Sequence, residues 1–192
     1  MRFDPGIEII CGEGVYEPAE DSRMMVEAVS VSPGDRVFEA GCGSGVIALH
    51  CAKAGASVVA SDISPEAVSC ARDNASRNGL RMEAVVGDLL EAAKGEFDLM
   101  IFNPPYLPEG AGDDPRWTGG RSGSEAAIRF LGQCKGRLAG GGRAYTIVSS
   151  LSGSHAFEEA AERLGFRHRV VERKRMFFEE LAVYELRPST DG

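Results

Sequence analysis

The sequence has no apolar run approaching the ~20 residues of a membrane span, which excludes a helix built to cross a bilayer. Its first residues also lack the apolar block of a secretory leader, so the expected location is cytoplasmic. Five cysteines (Cys11, Cys42, Cys51, Cys70 and Cys134) form no C-x-x-C pair, and an odd set fits buried thiols in a reducing compartment. No metal site is expected from them. Internal repeats and low-complexity linkers are absent, and a single domain over 1–192 is the economical organisation. Positive charge is in deficit. Lys and Arg number 21 against 29 Asp and Glu, and the net charge of −8 makes the chain a poor generic binder of nucleic acid. Histidine is scarce, and His50, His155 and His168 all lie away from the loops that carry chemistry.

What is present is an alternation of strands and helices. Pro18 to Val31 predicts a helix with Met24, Met25, Ala28 and Val29 on one face, and Arg36 to Ala40 predicts a strand. A helix is predicted over Val46 to Ala54 and a strand over Ser57 to Ser61, ending at Asp62. Ser64 can cap the helix after it, with Pro65 in the first turn, where a missing N–H costs nothing. Met82 to Val86 and Phe97 to Phe102 predict two more strands, the second nearly all apolar, as in a central parallel strand. Ser122 and Glu125 read as a capping box for a helix with the apolar face Ile128, Leu131 and Leu138. Ala144 to Val148 is the fifth strand and Ser154 to Leu164 a helix stopped by Gly165. Phe166 to Glu172 and Leu181 to Leu186 are two strands joined by a polar turn around Arg173, Lys174 and Arg175. The expected class is α/β: a doubly wound, seven-stranded sheet with one antiparallel strand near the C-terminus.

Glu39-Ala-Gly41-Cys-Gly43-Ser-Gly45 stands between a strand and a helix, where a nucleotide-binding loop belongs. Glycines there let the backbone turn tightly and approach a ligand with no Cβ in the way. Asp62, at the end of the next strand, can accept hydrogen bonds from both ribose hydroxyls. A dinucleotide loop would want a third glycine where Val46 stands, and Glu39 is foreign to that fingerprint. An acid at that point suits S-adenosylmethionine, which carries an ammonium and a sulfonium but no pyrophosphate. In Gly87-Asp88-Leu89, Asp88 can accept from the adenine amino group while Leu89 packs on the ring.

Asn103-Pro104-Pro105-Tyr106 follows the apolar strand ending at Phe102, beyond the carboxyl end where open α/β sheets bind ligands. The two prolines stiffen the turn, so the Asn103 side chain and the Pro104 carbonyl are held in fixed directions. Two fixed acceptors match the two N–H donors of a primary amide or an exocyclic amine. Tyr106 can stack on the planar group that carries the nitrogen. Such orientation turns a poor nucleophile into a positioned one, and the departing thioether needs no strong acid.

Together these motifs resemble a class I methyltransferase with the Asn-Pro-Pro-Tyr signature, from Val15 to Leu186. Val15-Tyr16-Glu17-Pro18-Ala19-Glu20-Asp21-Ser22 further resembles the opening segment of the HemK-like release-factor glutamine methyltransferases of archaea and eukaryotes. Trp117-Thr118-Gly119-Gly120-Arg121 resembles a second block of that subgroup. The resemblance implies methylation of the glutamine amide in the Gly-Gly-Gln motif of a class I release factor, with S-adenosylhomocysteine as product. By position it implies cofactor contacts from Ser22, Glu39, Gly41, Gly43, Asp62, Ile63, Asp88, Leu89 and Asn103. Substrate contacts would come from Asn103, Pro104, Pro105 and Tyr106. Ser22 stands where the subgroup usually shows threonine, and the hydroxyl is kept. Bacterial relatives add an N-terminal helical domain, for which the residues before the first helix leave no room. The subgroup pairs with a small zinc-ribbon activator, and the third strand, an edge strand in the usual order, has only Glu83 to blunt it. Rival readings are methylation of adenine or guanine amines, of lysine, or a non-catalytic subunit that binds the cofactor. An intact Asn-Pro-Pro-Tyr segment argues against the last.

Overall fold

In the computed structural model, which describes residues 1–91, 93–107 and 120–189, strands and helices alternate as the periodicity requires. They are α1 (Glu20–Ala28), β1 (Arg36–Ala40), α2 (Val46–Lys53), β2 (Ser57–Asp62), α3 (Pro65–Arg77), β3 (Glu83–Val86), β4 (Phe97–Phe102) and α4 (Glu125–Cys134). They continue with β5 (Leu138–Ser149), α5 (Ser154–Arg163), β6 (Phe166–Arg175) and β7 (Glu180–Pro188). The seven strands form one sheet in the order β3-β2-β1-β4-β5-β7-β6. β7 runs antiparallel to both β5 and β6, and every other pairing is parallel. The expected class and its single reversed strand are both present.

Side chains alternate across the pleat and feed two cores, one on each face. On one face Val37, Leu99, Ile101 and Ile147 pack with Met25, Val26 and Ile47. On the other, Phe38, Met100, Phe102 and Val148 pack with Phe130, Leu131 and Phe157. Burying both faces of β4 explains why Leu99 to Phe102 are all apolar, while the half-buried Asp98 near the start of the strand pairs with Arg36.

Several boundaries differ from the sequence expectation. α1 stops at Ala28 because Val29 is already extended (φ −70°, ψ 128°), turning the chain towards β1. β5 starts six residues early, at Leu138, and the register against β4 slips between Phe97 and Leu99. The glycines Gly140 to Gly142 absorb that bulge. Leu138 therefore belongs to a strand, and the buried face of α4 is Ala127, Phe130, Leu131 and Cys134. The capping box is only half formed. Glu125 Oε1 accepts from Ser122 N–H at 2.9 Å, but the helix is preceded by Ser124, whose side chain makes no capping bond. Within the second family-like block, Trp117, Thr118 and Gly119 lie outside the described residues.

Arg173, Lys174 and Arg175 are not a turn but the end of β6, paired through Arg175↔Glu180. Arg173 bonds Glu180 at 2.6 Å, and Lys174 reaches Glu20 on α1. Two of these three charges are thus neutralised by carboxylates, which offset local repulsion better than a loop would. The reversal falls at Met176–Glu179, closed by Met176 N–H donating to the Glu179 carbonyl at 2.7 Å.

The third strand does lie at the sheet edge. It is better protected than its sequence suggests, because the Arg72 guanidinium from α3 donates to the Ala84 carbonyl at 3.0 Å.

Candidate active site

The strand order reverses between β1 and β4, and such a switch point opens a crevice beyond the strand ends. Pairing of Ala40 with Phe102 brings the two chains out of the sheet side by side, Gly41 from one and Asn103 from the other. The approach at Gly41 is close. A Cβ there would sit 2.9 Å from Cε2 of Phe102, and φ is +59°, so no other residue fits without displacement. The cavity above these ends measures about 400 Å³, within the range of small-molecule sites.

All the cofactor and substrate residues singled out in the sequence line this cavity. Ser22, Glu39, Gly41, Gly43, Asp62 and Ile63 form one part of the wall, and Asp88, Leu89 and Asn103 to Tyr106 the rest. None of the three histidines lines it. His50 is instead a structural residue, buried with its ring nitrogens at Val46 O (2.7 Å) and Asp4 N (3.0 Å).

The glycine loop is held by Asp62. One carboxylate oxygen accepts from Gly43 N–H and the other from Ser64 N–H, each at 2.9 Å. Ser64 in turn caps α3 by accepting from Ala67 N–H at 3.1 Å. Asp62 thus organises the loop through one set of lone pairs and leaves the other set for a ligand.

Glu39 is 1% exposed and accepts from Ala48 N–H at 2.8 Å. Burial pushes its carboxyl well above the ordinary carboxylate range, the Ala48 donation opposes this, and the charge on Asp62 adds to it. A buried acid that resists ionisation, lining a cavity, gains most from a cation. That chemistry fits a ligand bearing an ammonium group.

Asp88 has an unforeseen partner. Arg129 of α4 grips both its oxygens, at 2.8 and 2.9 Å, and itself lines the cavity. The pair fixes the plane of the carboxylate while each oxygen keeps a lone pair. Next to it Leu89 adopts φ +49°, a left-handed conformation that costs a leucine about 1 kcal/mol or more. Ser61 Oγ, donating to its carbonyl at 2.6 Å, and its own burial hold it there.

The Asn-Pro-Pro-Tyr segment is braced from behind. Ser152 Oγ donates to the Tyr106 carbonyl. A Cβ on Gly123 would come within 2.6 Å of that same oxygen at φ +89°, so only glycine lets α4 approach. Tyr106 is 8% exposed, and no donor among the described residues reaches the Pro104 carbonyl.

Asn103 shows the least expected geometry. Its Nδ2 donates to Oδ2 of Asp21 at 2.8 Å, while its Oδ1 is buried without a partner among the described residues. Asp21, Tyr16 and Arg129 are functional candidates that the sequence did not single out. Asp21 and Tyr16 lie in the family-like opening segment, a signal that was available. Arg129 carried none.

A family model described as the methyltransferase small domain matches residues 14–177. The chain is 36% identical over 187 residues to a Methanocaldococcus jannaschii protein provisionally assigned as a protein N5-glutamine methyltransferase, covering 93% of this chain and 94% of that one. It is also 36% identical over 135 residues to the mouse methyltransferase HEMK2, covering 61% of this chain and 63% of the mouse protein. Among solved structures it is similar to the E. cuniculi Mtq2–Trm112 complex, responsible for methylation of the translation termination factor eRF1. That match has a TM-score of 0.74 at 26% identity, over 91% of this chain and 99% of the matched one.

Proposed function

This chain belongs to the methyltransferase small domain family, and we propose that it methylates the glutamine side-chain amide of the Gly-Gly-Gln motif in a class I release factor. The observation that carries this reading is the buried Oδ1 of Asn103, unpartnered among the described residues, on a residue that lines a cavity shared with the glycine loop. A buried acceptor left without a donor costs about 1–3 kcal/mol, and an N–H donor in the bound substrate removes that cost. Oδ1 accepts a hydrogen bond from one amide N–H and the Pro104 carbonyl from the other, so the nitrogen is oriented and its N–H bonds polarised. One of the two protons is lost to solvent as the N–CH3 bond replaces the S–CH3 bond. Tyr106 packs on the amide plane.

S-adenosylmethionine supplies an electrophilic methyl group on a sulfonium. Glu39 would hold its ammonium, Asp62 its ribose hydroxyls and Asp88 its adenine amino group. Ser22, Gly41, Gly43, Ile63 and Leu89 complete the wall. The test is methyl transfer from labelled cofactor to a recombinant release factor, compared with total RNA and total DNA. Label appearing in nucleic acid and not in the factor would reassign the substrate.

Glu39 gives a pH signature. The free site favours its neutral form because of burial, and a bound cation favours the carboxylate. Binding therefore releases a proton, and affinity should rise with pH, by up to about tenfold per unit, until Glu39 ionises in the free protein. Calorimetry across a pH series, in buffers of different ionisation enthalpy, is expected to show a buffer-dependent heat that Glu39→Gln removes. A heat independent of buffer at every pH would place the ammonium elsewhere.

A small zinc-ribbon activator along β3 completes the proposal. Val86 is 54% exposed at this edge, and a strand added there would compete with Arg72 for the Ala84 carbonyl. Val85→Lys should abolish co-purification with the activator while the chain alone keeps its melting temperature within a few degrees. An intact complex would move the interface to another surface.

A further inference from the structure

Asp21 is 4% exposed, and four donors converge on it. Oδ1 accepts from Tyr16 Oη at 2.7 Å, from Ser22 N–H at 2.7 Å and from Ser22 Oγ at 3.4 Å. Oδ2 accepts from Asn103 Nδ2 at 2.8 Å. The two residues are 82 positions apart in the chain, so this contact exists only because the fold brings the first turn of α1 beside the residue that follows β4.

An asparagine amide presents a donor at one end and an acceptor at the other, and the two are nearly equal in shape. Shape alone cannot decide which end faces the cavity. A carboxylate only accepts, so it must take the Nδ2 end, and the Oδ1 end of this cavity-lining residue is left buried and without a partner among the described residues. We propose that Asp21 is a positioning residue that sets the polarity of Asn103, so that the site accepts N–H donors and turns away groups that only accept. The inference rests on the glutamine-amide reading above and adds to it the residue that makes the site selective for NH₂.

The substitution Asp21→Asn tests polarity with almost no change of shape. Ser22 N–H is fixed 2.7 Å from the present Oδ1, so the new amide must turn its oxygen there and its NH₂ towards Asn103. Asn103 must then rotate to offer Oδ1 to that NH₂, which swings its own NH₂ into the cavity. Substrate and site would meet donor to donor. The expected result is a kcat at least 100-fold lower, with cofactor affinity within threefold of wild type.

The double variant Asp21→Asn/Asn103→Asp distinguishes polarity from packing. The new NH₂ at position 21 donates to one carboxylate oxygen at position 103, and the other oxygen restores an acceptor in the cavity. Turnover should recover at least tenfold over Asp21→Asn. Asn103→Asp alone sets two carboxylates against each other and should stay as slow as Asp21→Asn. A single variant less than tenfold impaired, or a double variant less than threefold faster than Asp21→Asn, overturns the proposal.

The side-chain amide resonances of Asn103 supply a readout independent of turnover. They are expected to shift and lose exchange protection in Asp21→Asn, and unchanged resonances would also overturn the role. A wild-type chain that transfers no methyl to the release factor would defeat the substrate reading, yet the resonances would still decide whether Asp21 holds Asn103.

Discussion

Asn103→Ala is expected to lower turnover by two to three orders of magnitude while cofactor affinity stays within a few fold. Alanine removes the acceptor that orients the substrate amide, and loss of one preorganised polar contact commonly costs ~10²–10³ in rate. It also leaves Asp21 Oδ2 without its Asn103 donor in a nearly dry site. The other oxygen keeps three donors, so α1 should remain in place. Orientation acts on the reaction more than on binding, so kcat should fall further than KM rises. Single-turnover transfer to the release factor, with calorimetry of the cofactor, separates the two effects. A variant retaining more than a tenth of wild-type turnover would remove Asn103 from the chemistry.

The second large effect is expected at Asp62. Asp62→Ala should weaken S-adenosylmethionine binding at least tenfold, because losing a charged hydrogen-bond partner costs about 1.5–3 kcal/mol. The structure adds a second consequence. The same carboxylate holds Gly43 N–H and Ser64 N–H, so the substitution also frees the glycine loop and loosens the cap of α3. A lower melting temperature without ligand should accompany the weaker binding. Asp62→Asn separates the contributions. It keeps one backbone acceptor, so it should melt closer to wild type, yet it still loses the charge that faces the ribose. Affinity unchanged in both variants would exclude Asp62 from the cofactor site.

Local chemistry carried most of the fold. β1 and β4 have the bounds expected from the sequence because each is a mostly buried stretch ended by turn-forming residues, Gly41 in one case and Asn103-Pro104 in the other. Ser64 caps α3 as expected because a cap is a bond between residues three apart. The misplaced elements depend on distant partners. Arg173 to Arg175 look like a turn until Glu180 and Glu20 are beside them, and Leu138 looks helical until Phe97 pairs with it.

The site divides in the same way. Which residues line the cavity was legible, since motifs at strand ends are gathered by the doubly wound topology whatever the details of packing. How they are held was not. Arg129 is 41 residues from Asp88, and Asp21 is 82 from Asn103. Hydrophobic period, turn residues and capping act over a few positions and leave a one-dimensional trace. A hydrogen bond's direction, the end of an amide that a carboxylate selects, and the ionisation of a buried acid such as Glu39 depend on which groups lie within a few ångströms. Sequence alone therefore determined the strand-and-helix alternation, the glycine loop and the Asn-Pro-Pro-Tyr turn. Only the tertiary structure decided the burial that raises the Glu39 carboxyl and the polarity of Asn103, because short-range electrostatics follow proximity in space and not along the chain.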